Sequence, residues 1–183
     1  MSFKLKKQYE NAELVEVIID NSDVVVIGDL VKCRNGNLEV STAGGAIFGV
    51  VVDIVDKNGN SLFGSLAVTG SATLISGTPG GSGTVTVASD NETVDKIAAR
   101  VNTSKKAIYS ATVDGTVNTT SSSAKLGGWL NQTDANSVDE TTHSRTITDV
   151  RALKGWGSDP DDTTRLLVSI NHSEVWDNGA AMA

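Results

Sequence analysis

Apolar residues in this chain occur in short continuous or alternating runs, separated by clusters of Asn, Asp, Gly and Ser. Short apolar runs bounded by turn-forming residues are typical of β-strands, whereas an amphipathic helix needs a period near 3.6 over a longer stretch. The pattern predicts strands at 15–19, 24–27, 84–87, 107–113 and 165–171.

The most informative stretch predicts a β-hairpin. Segments 27–32 and 46–52 are expected to form strands around a tight turn at Asn35 and Gly36. Asn-Gly tolerates positive φ at both central positions of a type I′ turn, whose twist matches that of two antiparallel strands. A second Asn-Gly pair, within 56–60, predicts another hairpin turn.

Residues 89–101 fit two periods. Ser89 and Glu92 match a capping box, and the apolar positions that follow fall on one helical face. From Ile97 onward, however, the apolar residues also alternate as in a strand. We favour a cap-like turn at 89–93 followed by a strand.

Composition supports a β-rich fold, because Val and Thr are abundant and both pack well on a pleated surface. We expect a mainly β protein, an antiparallel barrel or sandwich with short hairpins and little helix. The β domain is expected at 17–176, with room for two subdomains that divide near 89–95. A flexible N-terminal arm (1–16) and a flexible C-terminal tail (177–183) flank it, and the polar segment 139–150 suits an edge strand.

Charge and apolar content argue against two classes of partner. The formal net charge of -7 is opposite to the basic surface that nucleic-acid binding requires, so we expect no nucleic-acid partner. No apolar run approaches the ~20 residues of a membrane helix, so we expect no membrane partner. The single cysteine, Cys33, cannot form an internal disulfide and suits a small strand position.

The sequence offers little for catalysis or metal binding. His143 and His172 lack a second ligand at the usual spacing, and no Gly-x-Ser-x-Gly elbow is present. Neighbouring carboxylates such as Asp161 and Asp162 are most often solvated loop charges. We therefore predict that the chain is not an enzyme and has no cofactor, metal site or catalytic residue.

Candidate contact residues come from the aromatic side chains. Trp129 and Trp156 are expected in the core, whereas Trp176, beside the tail, is a candidate for surface contact. The arm alternates apolar and basic residues, so it can add as a strand to the sheet edge of a partner, with plain disorder as the alternative. The candidate capsid or subunit interface residues are Phe3, Leu5, Tyr9 and Trp176.

Several segments, in this order and spacing, together resemble the capsid decoration, or cement, proteins of tailed bacteriophages. The resemblance covers about two thirds of the chain and excludes the Gly-, Ser- and Thr-rich stretch 64–88. The segments are Gly28-Asp29-Leu30-Val31, Ile47-Phe48-Gly49-Val50-Val51, Arg100-Val101-Asn102-Thr103, Ile108-Tyr109-Ser110-Ala111, Leu126-Gly127-Gly128-Trp129-Leu130-Asn131, Asp139-Glu140-Thr141-Thr142 and Leu167-Val168-Ser169-Ile170-Asn171.

The resemblance implies a β-rich structural protein that binds the outside of an icosahedral phage head and stabilises its expanded form. Its implied partners are the major capsid protein and itself, as a homotrimer. The implied location is the outer capsid surface of the virion, after synthesis in the host cytoplasm. The alternatives are another virion β module, such as a head-fibre base or tail component, and a carbohydrate-binding domain.

Overall fold

The structure, a computed structural model, describes residues 3–8, 13–43, 46–63, 84–115, 117, 128–144 and 153–170. All regular secondary structure in these ranges is β, so the predicted mainly β fold is confirmed. The strands are β1 (Phe3–Gln8), β2 (Leu14–Ile18), β3 (Val24–Val26), β4 (Leu30–Arg34), β5 (Asn37–Val40), β6 (Gly49–Val55), β7 (Thr84–Thr86), β8 (Ala98–Asn102), β9 (Ala107–Val113), β10 (Trp129–Gln132), β11 (Ser137–Ser144), β12 (Leu153–Ser158) and β13 (Arg165–Ile170).

The first sheet closes into a five-stranded barrel, here called the first barrel. Its strands follow the order β9-β11-β10-β12-β13, and β13 pairs back onto β9 from Arg165↔Thr112 to Val168↔Tyr109. β11 is parallel to β9, and the other pairs are antiparallel. β1 adds to β9 on the side of β11. Closure pairs the edges of the ring, which an open sheet would leave exposed.

The second sheet has the order β2-β8-β6-β4-β5 and is antiparallel along its ladders. Just after β2, Ile19 forms a parallel bridge with Leu38 of β5, and the Asp20 amide donates to the Leu38 carbonyl at 2.8 Å. The outer strands of this sheet therefore also meet. A separate two-stranded sheet is formed by β3 and β7.

The chain passes from the second sheet to the first barrel between β8 and β9, at 103–106. The sequence suggests a division near 89–95, but β8 lies after that point and still belongs to the second sheet. Among the described strands, β1 alone departs from this order, because it precedes the second sheet in the chain and pairs with the first barrel.

The hairpin prediction is confirmed at its turn and wrong at its second strand. Asn35 and Gly36 have φ values of 51° and 89°, as a type I′ turn requires. The strand that returns is the short β5, whose apolar content is too small to stand out in the sequence. The segment expected to return, 46–52, contributes to β6, which pairs with the other edge of β4 through Leu30↔Val50.

The second Asn-Gly pair also forms a hairpin turn. The Gly59 amide donates to the Asp56 carbonyl, Gly59 has a φ of 79°, and Val55 bridges Ser61 across the turn. The Asp56 carboxylate accepts the Asn58 and Asn60 amides at 2.9 and 2.8 Å. These hydrogen bonds hold the pKa of Asp56 below its usual range.

The favoured reading of 89–101 is confirmed, since a turn there leads into β8 without a helix. The buried Asn91 fixes this turn. Its Nδ2 donates to the carbonyls of Ile19 (2.7 Å) and Ile97 (3.0 Å), and its Oδ1 accepts the Ile97 amide (2.8 Å). The side chain thus satisfies backbone groups that a helix or ladder would otherwise pair.

The flexible arm predicted at 1–16 is wrong where the structure describes it. β1 lies along β9 with Phe3 opposite Ala111 and Leu5 opposite Tyr109, and β2 begins at Leu14 in the second sheet. Phe3 is 4% exposed and belongs to the core of the first barrel. The alternation in the arm is that of a strand, and its partner is the same chain.

The edge strand predicted at 139–150 is also corrected. Within the described residues this segment belongs to β11, which lies between β9 and β10 and has a partner on both sides. Its polar sequence misled the prediction, because backbone pairing does not depend on side-chain polarity. The tail 177–183 and the embellishment 64–88, apart from its last residues, lie outside the described residues.

The two cores are joined through the backbone around Asp29. The Gly28 carbonyl accepts the Phe3 amide of β1 at 3.0 Å, and the Asp29 carbonyl accepts the Val51 amide at 3.0 Å. Next along the chain, the Leu30 amide donates to the Ala135 carbonyl at 2.9 Å. Three consecutive residues therefore connect β1, β6 and the turn between β10 and β11.

The Asp29 side chain is buried at this junction. Its Oδ2 accepts the Val26 amide at 2.9 Å, and its Oδ1 has no hydrogen-bond partner among the described residues. Burial raises the pKa of Asp29 to about 6 against the lowering effect of the Val26 hydrogen bond, with smaller raising contributions from Asp134 and Asp23. The folded protein therefore favours the protonated carboxyl.

We predict that Phe3→Ala lowers the free energy of unfolding by about 3 kcal/mol, since it removes a buried aromatic ring. Leu5→Ala is the matched control, because Leu5 is 48% exposed on the same strand and should cost less than about 1 kcal/mol. Urea denaturation of both variants measures the difference. Equal, small effects would contradict a packed β1.

We also predict a pH-dependent contribution from Asp29. A carboxyl whose pKa is raised on folding contributes stability that is fully present below its unfolded pKa, near 4, and lost as pH rises through the folded value of about 6. The loss is about 3 kcal/mol for a shift of roughly two units. Asp29→Asn should flatten the stability profile across this window.

Denaturation at several pH values between 4 and 7 measures this profile. The control is Asp90→Asn, which changes an exposed carboxyl in the 89–95 turn. Parallel profiles for the wild type and Asp29→Asn would show that the Asp29 carboxyl ionises equally in both states.

Candidate interaction surface

A groove crosses the outer face of the first barrel. The side chains of a strand alternate between the two faces of a sheet, and Lys154, Trp156, Ser169 and Ile108 come from the adjacent strands β12, β13 and β9. Trp156 is 41% exposed, whereas Gly155 between the two β12 side chains is buried. The groove has a volume of ≈ 300 Å³ and is lined by Lys105, Lys106, Ile108, Trp156 and Ser169; we call it the Trp156 groove.

The indole of Trp156 is held in place by two neighbours. Its Nε1 donates to Ser169 Oγ at 2.9 Å, and the Lys154 ammonium lies 4.7 Å from the centre of its ring. The β12–β13 register shifts between Gly155 and Gly157, where Gly157 has a φ of 100°. Such bulges redirect nearby side chains, and here the bulge flanks Trp156.

Positive charge surrounds the ring in a chain whose formal net charge is -7. Lys105 and Lys106, in the turn before β9, line the groove, and Lys154 lies over the indole. Lys7 of β1 is the register partner of Ile108, which lines the groove. The surface thus combines an exposed aromatic ring with a local excess of cations.

An ionic network borders the groove and attaches β1 to the turn before β13. Lys6 Nζ lies 3.0 Å from Asp159 Oδ2 and 3.0 Å from Asp161 Oδ2. The Asp159 side chain is 1% exposed, whereas that of Asp161 is 78% exposed. The contact with Asp159 is the more significant one, because solvent screens an exposed pair.

The network continues across the outer face of β9. Arg165 Nε donates to Ser110 Oγ at 2.8 Å, its Nη1 donates to Thr112 Oγ1 at 2.9 Å, and its Nη2 donates to the Ser110 carbonyl at 2.7 Å. Burial alone would raise the pKa of Asp159, but hydrogen bonds from Ser110, Asp161 and Lys6 hold it below its usual range. The carboxylate form is thereby favoured.

The predicted contact residues do not form one surface. Phe3 is wrong as an interface residue, because it is buried in the core of its own chain, while Leu5 is exposed on β1. Tyr9 and Trp176 lie outside the described residues. The predicted interface therefore stays a prediction for Leu5, Tyr9 and Trp176.

Trp156 was expected in the core, and that prediction is wrong. A signal was present in the sequence, since glycines on both sides of a tryptophan within a strand indicate a bulge or a close backbone approach. The side chain of Trp129 is outside what the structure describes. Cys33 is buried in β4 as expected for a small strand residue, and burial raises the pKa of its thiol to about 11.

Metal and membrane features are limited to two findings. The described part of the chain holds no group of three or more His, Cys, Asp and Glu side chains placed to bind a metal ion. In that same part, no helix has the length and apolar character needed to span a membrane. His172 lies beyond the described residues.

No protein-family model, curated protein or solved structure matches this chain.

We predict that Lys6→Met raises the pKa of Asp159, because the variant loses a hydrogen bond and a positive charge beside this carboxylate. A depressed folded pKa contributes stability above the unfolded pKa and loses it as pH falls. The variant should therefore begin to unfold at a higher pH during acid titration. Lys4→Met, which changes an exposed lysine of the same strand, is the control.

Carboxyl-carbon NMR chemical shifts of Asp159, followed from neutral to acid pH, measure its ionisation directly. An unchanged Asp159 titration in Lys6→Met would contradict the role of Lys6. A shift of equal size in Lys4→Met would instead indicate a general effect of net charge.

Proposed function

We propose that this protein is a structural virion protein that binds the outer surface of a tailed-phage capsid and stabilises the expanded head. The major capsid protein is its partner, and the protein acts as a homotrimer on the outside of the shell. It is not an enzyme in this proposal. Its function is contact with a lattice of repeated subunits.

One observation carries the proposal. The segments that resemble decoration proteins are far apart in the sequence but meet in the framework of the fold. Segment 28–31 leads into β4, 47–51 into β6, 100–103 covers the end of β8, 108–111 lies in β9 and 167–171 in β13. A shared fold produces this convergence, whereas chance similarity of composition does not. The joined β framework is also consistent with a rigid binding module.

The physical effect is mass action. A protein that binds the expanded lattice and not its disassembled subunits stabilises each site by RT ln(1 + [L]/Kd), about 2.7 kcal/mol when its free concentration is a hundred times Kd. A symmetric trimer presents each contact three times, so modest individual contacts give tight attachment through avidity. Repetition over a shell resists pressure from the packaged genome.

Trp156 favours a second candidate function. A half-exposed tryptophan beside a groove is also a feature of carbohydrate-binding domains, where the ring packs against the apolar face of a sugar. The lysines around Trp156 are less suited to neutral sugars, because they add charge where such a ligand offers none to pair. Binding of neutral glycans on an array, lost in Trp156→Ala, would favour this candidate.

We predict that the purified protein sediments with expanded, DNA-free heads of the phage whose genome encodes it, and saturates at a fixed copy number per head. The heads should also lose their shape at a higher temperature when the protein is bound, because binding stabilises the intact lattice. Co-sedimentation and differential scanning calorimetry measure the two effects.

Unexpanded heads are the control, since they present a different arrangement of the same capsid subunits. Failure to sediment with expanded heads, together with an unchanged melting temperature, would refute the proposal. Binding confined to vertices or to tails, seen with labelled protein, would favour another virion module such as a head-fibre base or tail component.

A further inference from the structure

The Trp156 groove has the composition of a binding site for a protein segment. Large aromatic side chains at the surface are enriched at the points that contribute most to protein–protein affinity. Trp156 is one of few large apolar side chains exposed in the described residues, and it lines a groove together with Ile108. A partner side chain that enters this groove gains apolar contact on two sides.

The indole is fixed before any partner arrives. Its N–H is already satisfied by Ser169 Oγ, and its position is supported by the Lys154 ammonium. A side chain that is already ordered loses less conformational entropy on binding. Because the indole N–H has a partner, the ring offers the incoming segment mainly apolar surface.

The charge around the groove indicates the chemistry of the partner. Lys105 and Lys106 line the groove, and Lys154 lies beside it. Carboxylates complement these ammonium groups, whereas a basic segment would be repelled.

A nucleic acid is the less favourable anionic ligand. The chain has a formal net charge of -7, and Asp159 and Asp161 follow β12 on the same barrel. A long polyphosphate would meet this negative field beyond the groove, while a short acidic segment contacts only the local cations. The charge pattern therefore favours an acidic protein segment.

We propose that the Trp156 groove binds an acidic protein segment, with one apolar side chain packed between Trp156 and Ile108 and carboxylates beside Lys105 and Lys106. On the proposed function, on which only the identity of the partner rests, this segment belongs to the outer surface of the capsid shell. Leu5, exposed on β1, is not part of the groove.

A direct test uses a synthetic octapeptide of alternating Asp and Leu, labelled with a fluorophore and capped at both ends. Fluorescence anisotropy with the full-length protein should give saturable binding with a Kd below about 1 mM. The Lys/Leu octapeptide should bind at least tenfold more weakly, because its charges are reversed. Oligothymidine of eight nucleotides is the nucleic-acid probe and should also bind at least tenfold more weakly.

Two variants test the groove itself. Trp156→Ala should weaken binding of the Asp/Leu peptide at least fivefold, and Trp156→Phe, which keeps an aromatic ring, should restore part of this loss. The double variant Lys105→Glu/Lys106→Glu should abolish binding of the Asp/Leu peptide and strengthen that of the Lys/Leu peptide. Both lysines are exposed in a turn, so the fold should tolerate their reversal.

The matched control is Lys57→Glu/Lys96→Glu, which makes the same change in net charge at the second sheet, away from the groove. It should bind the Asp/Leu peptide as the wild type does. The inference is overturned if the wild type does not bind this peptide, if the groove variants bind it equally well, or if oligothymidine binds as tightly.

The same proteins, mixed with expanded heads, separate this inference from the proposed function. Heads that bind the wild type and both groove variants equally would overturn the inference and leave the proposed function standing. Peptide binding that depends on the groove, with no binding to heads by any protein, would support the groove chemistry and refute the capsid as partner.

Discussion

Strands β4 and β6 contribute to both hydrophobic cores, and the rest of the structure depends on this sharing. Successive side chains of a strand point to opposite faces of its sheet. Leu30 and Val50 therefore pack in the core of the first barrel, while Val31 and Val51 pack in the core of the second sheet. A slip of one residue would exchange the two sets, so a single register must satisfy both cores at once.

Close approach between strands reinforces this register. A Cβ atom on Gly49 would lie 2.5 Å from Val101 Cγ1 and 2.6 Å from the Asn102 carbonyl oxygen, nearer than such contacts allow. Glycine at this position lets β6 begin directly against β8. Polar links complete the joint, since Gln132 of β10 donates to Ser41 Oγ at 2.6 Å beyond the end of β5. The two sheets are thus fixed to each other by packing and by hydrogen bonds.

The same alternation that fills the cores creates the candidate interaction surface. Gly155 faces inward on β12 while Lys154 and Trp156 face outward, and Ser169 on β13 receives the indole N–H. The barrel wall is closed beneath them, so these side chains stand on a support with little freedom to move. A surface held in this way loses less entropy when it binds a partner than a surface built on a loop.

The sequence by itself determined the β class, most strand positions and both Asn-Gly turns, because these depend on neighbouring residues along the chain. Only the tertiary structure decided that Phe3 is buried against β9, that β11 has partners on both sides, and that Trp156 is exposed. Each of these depends on residues distant in sequence: Phe3 pairs with Ala111, and the Trp156 indole binds Ser169. The burial of a side chain follows from which strands close the barrel, and local periodicity carries no information about strand partners.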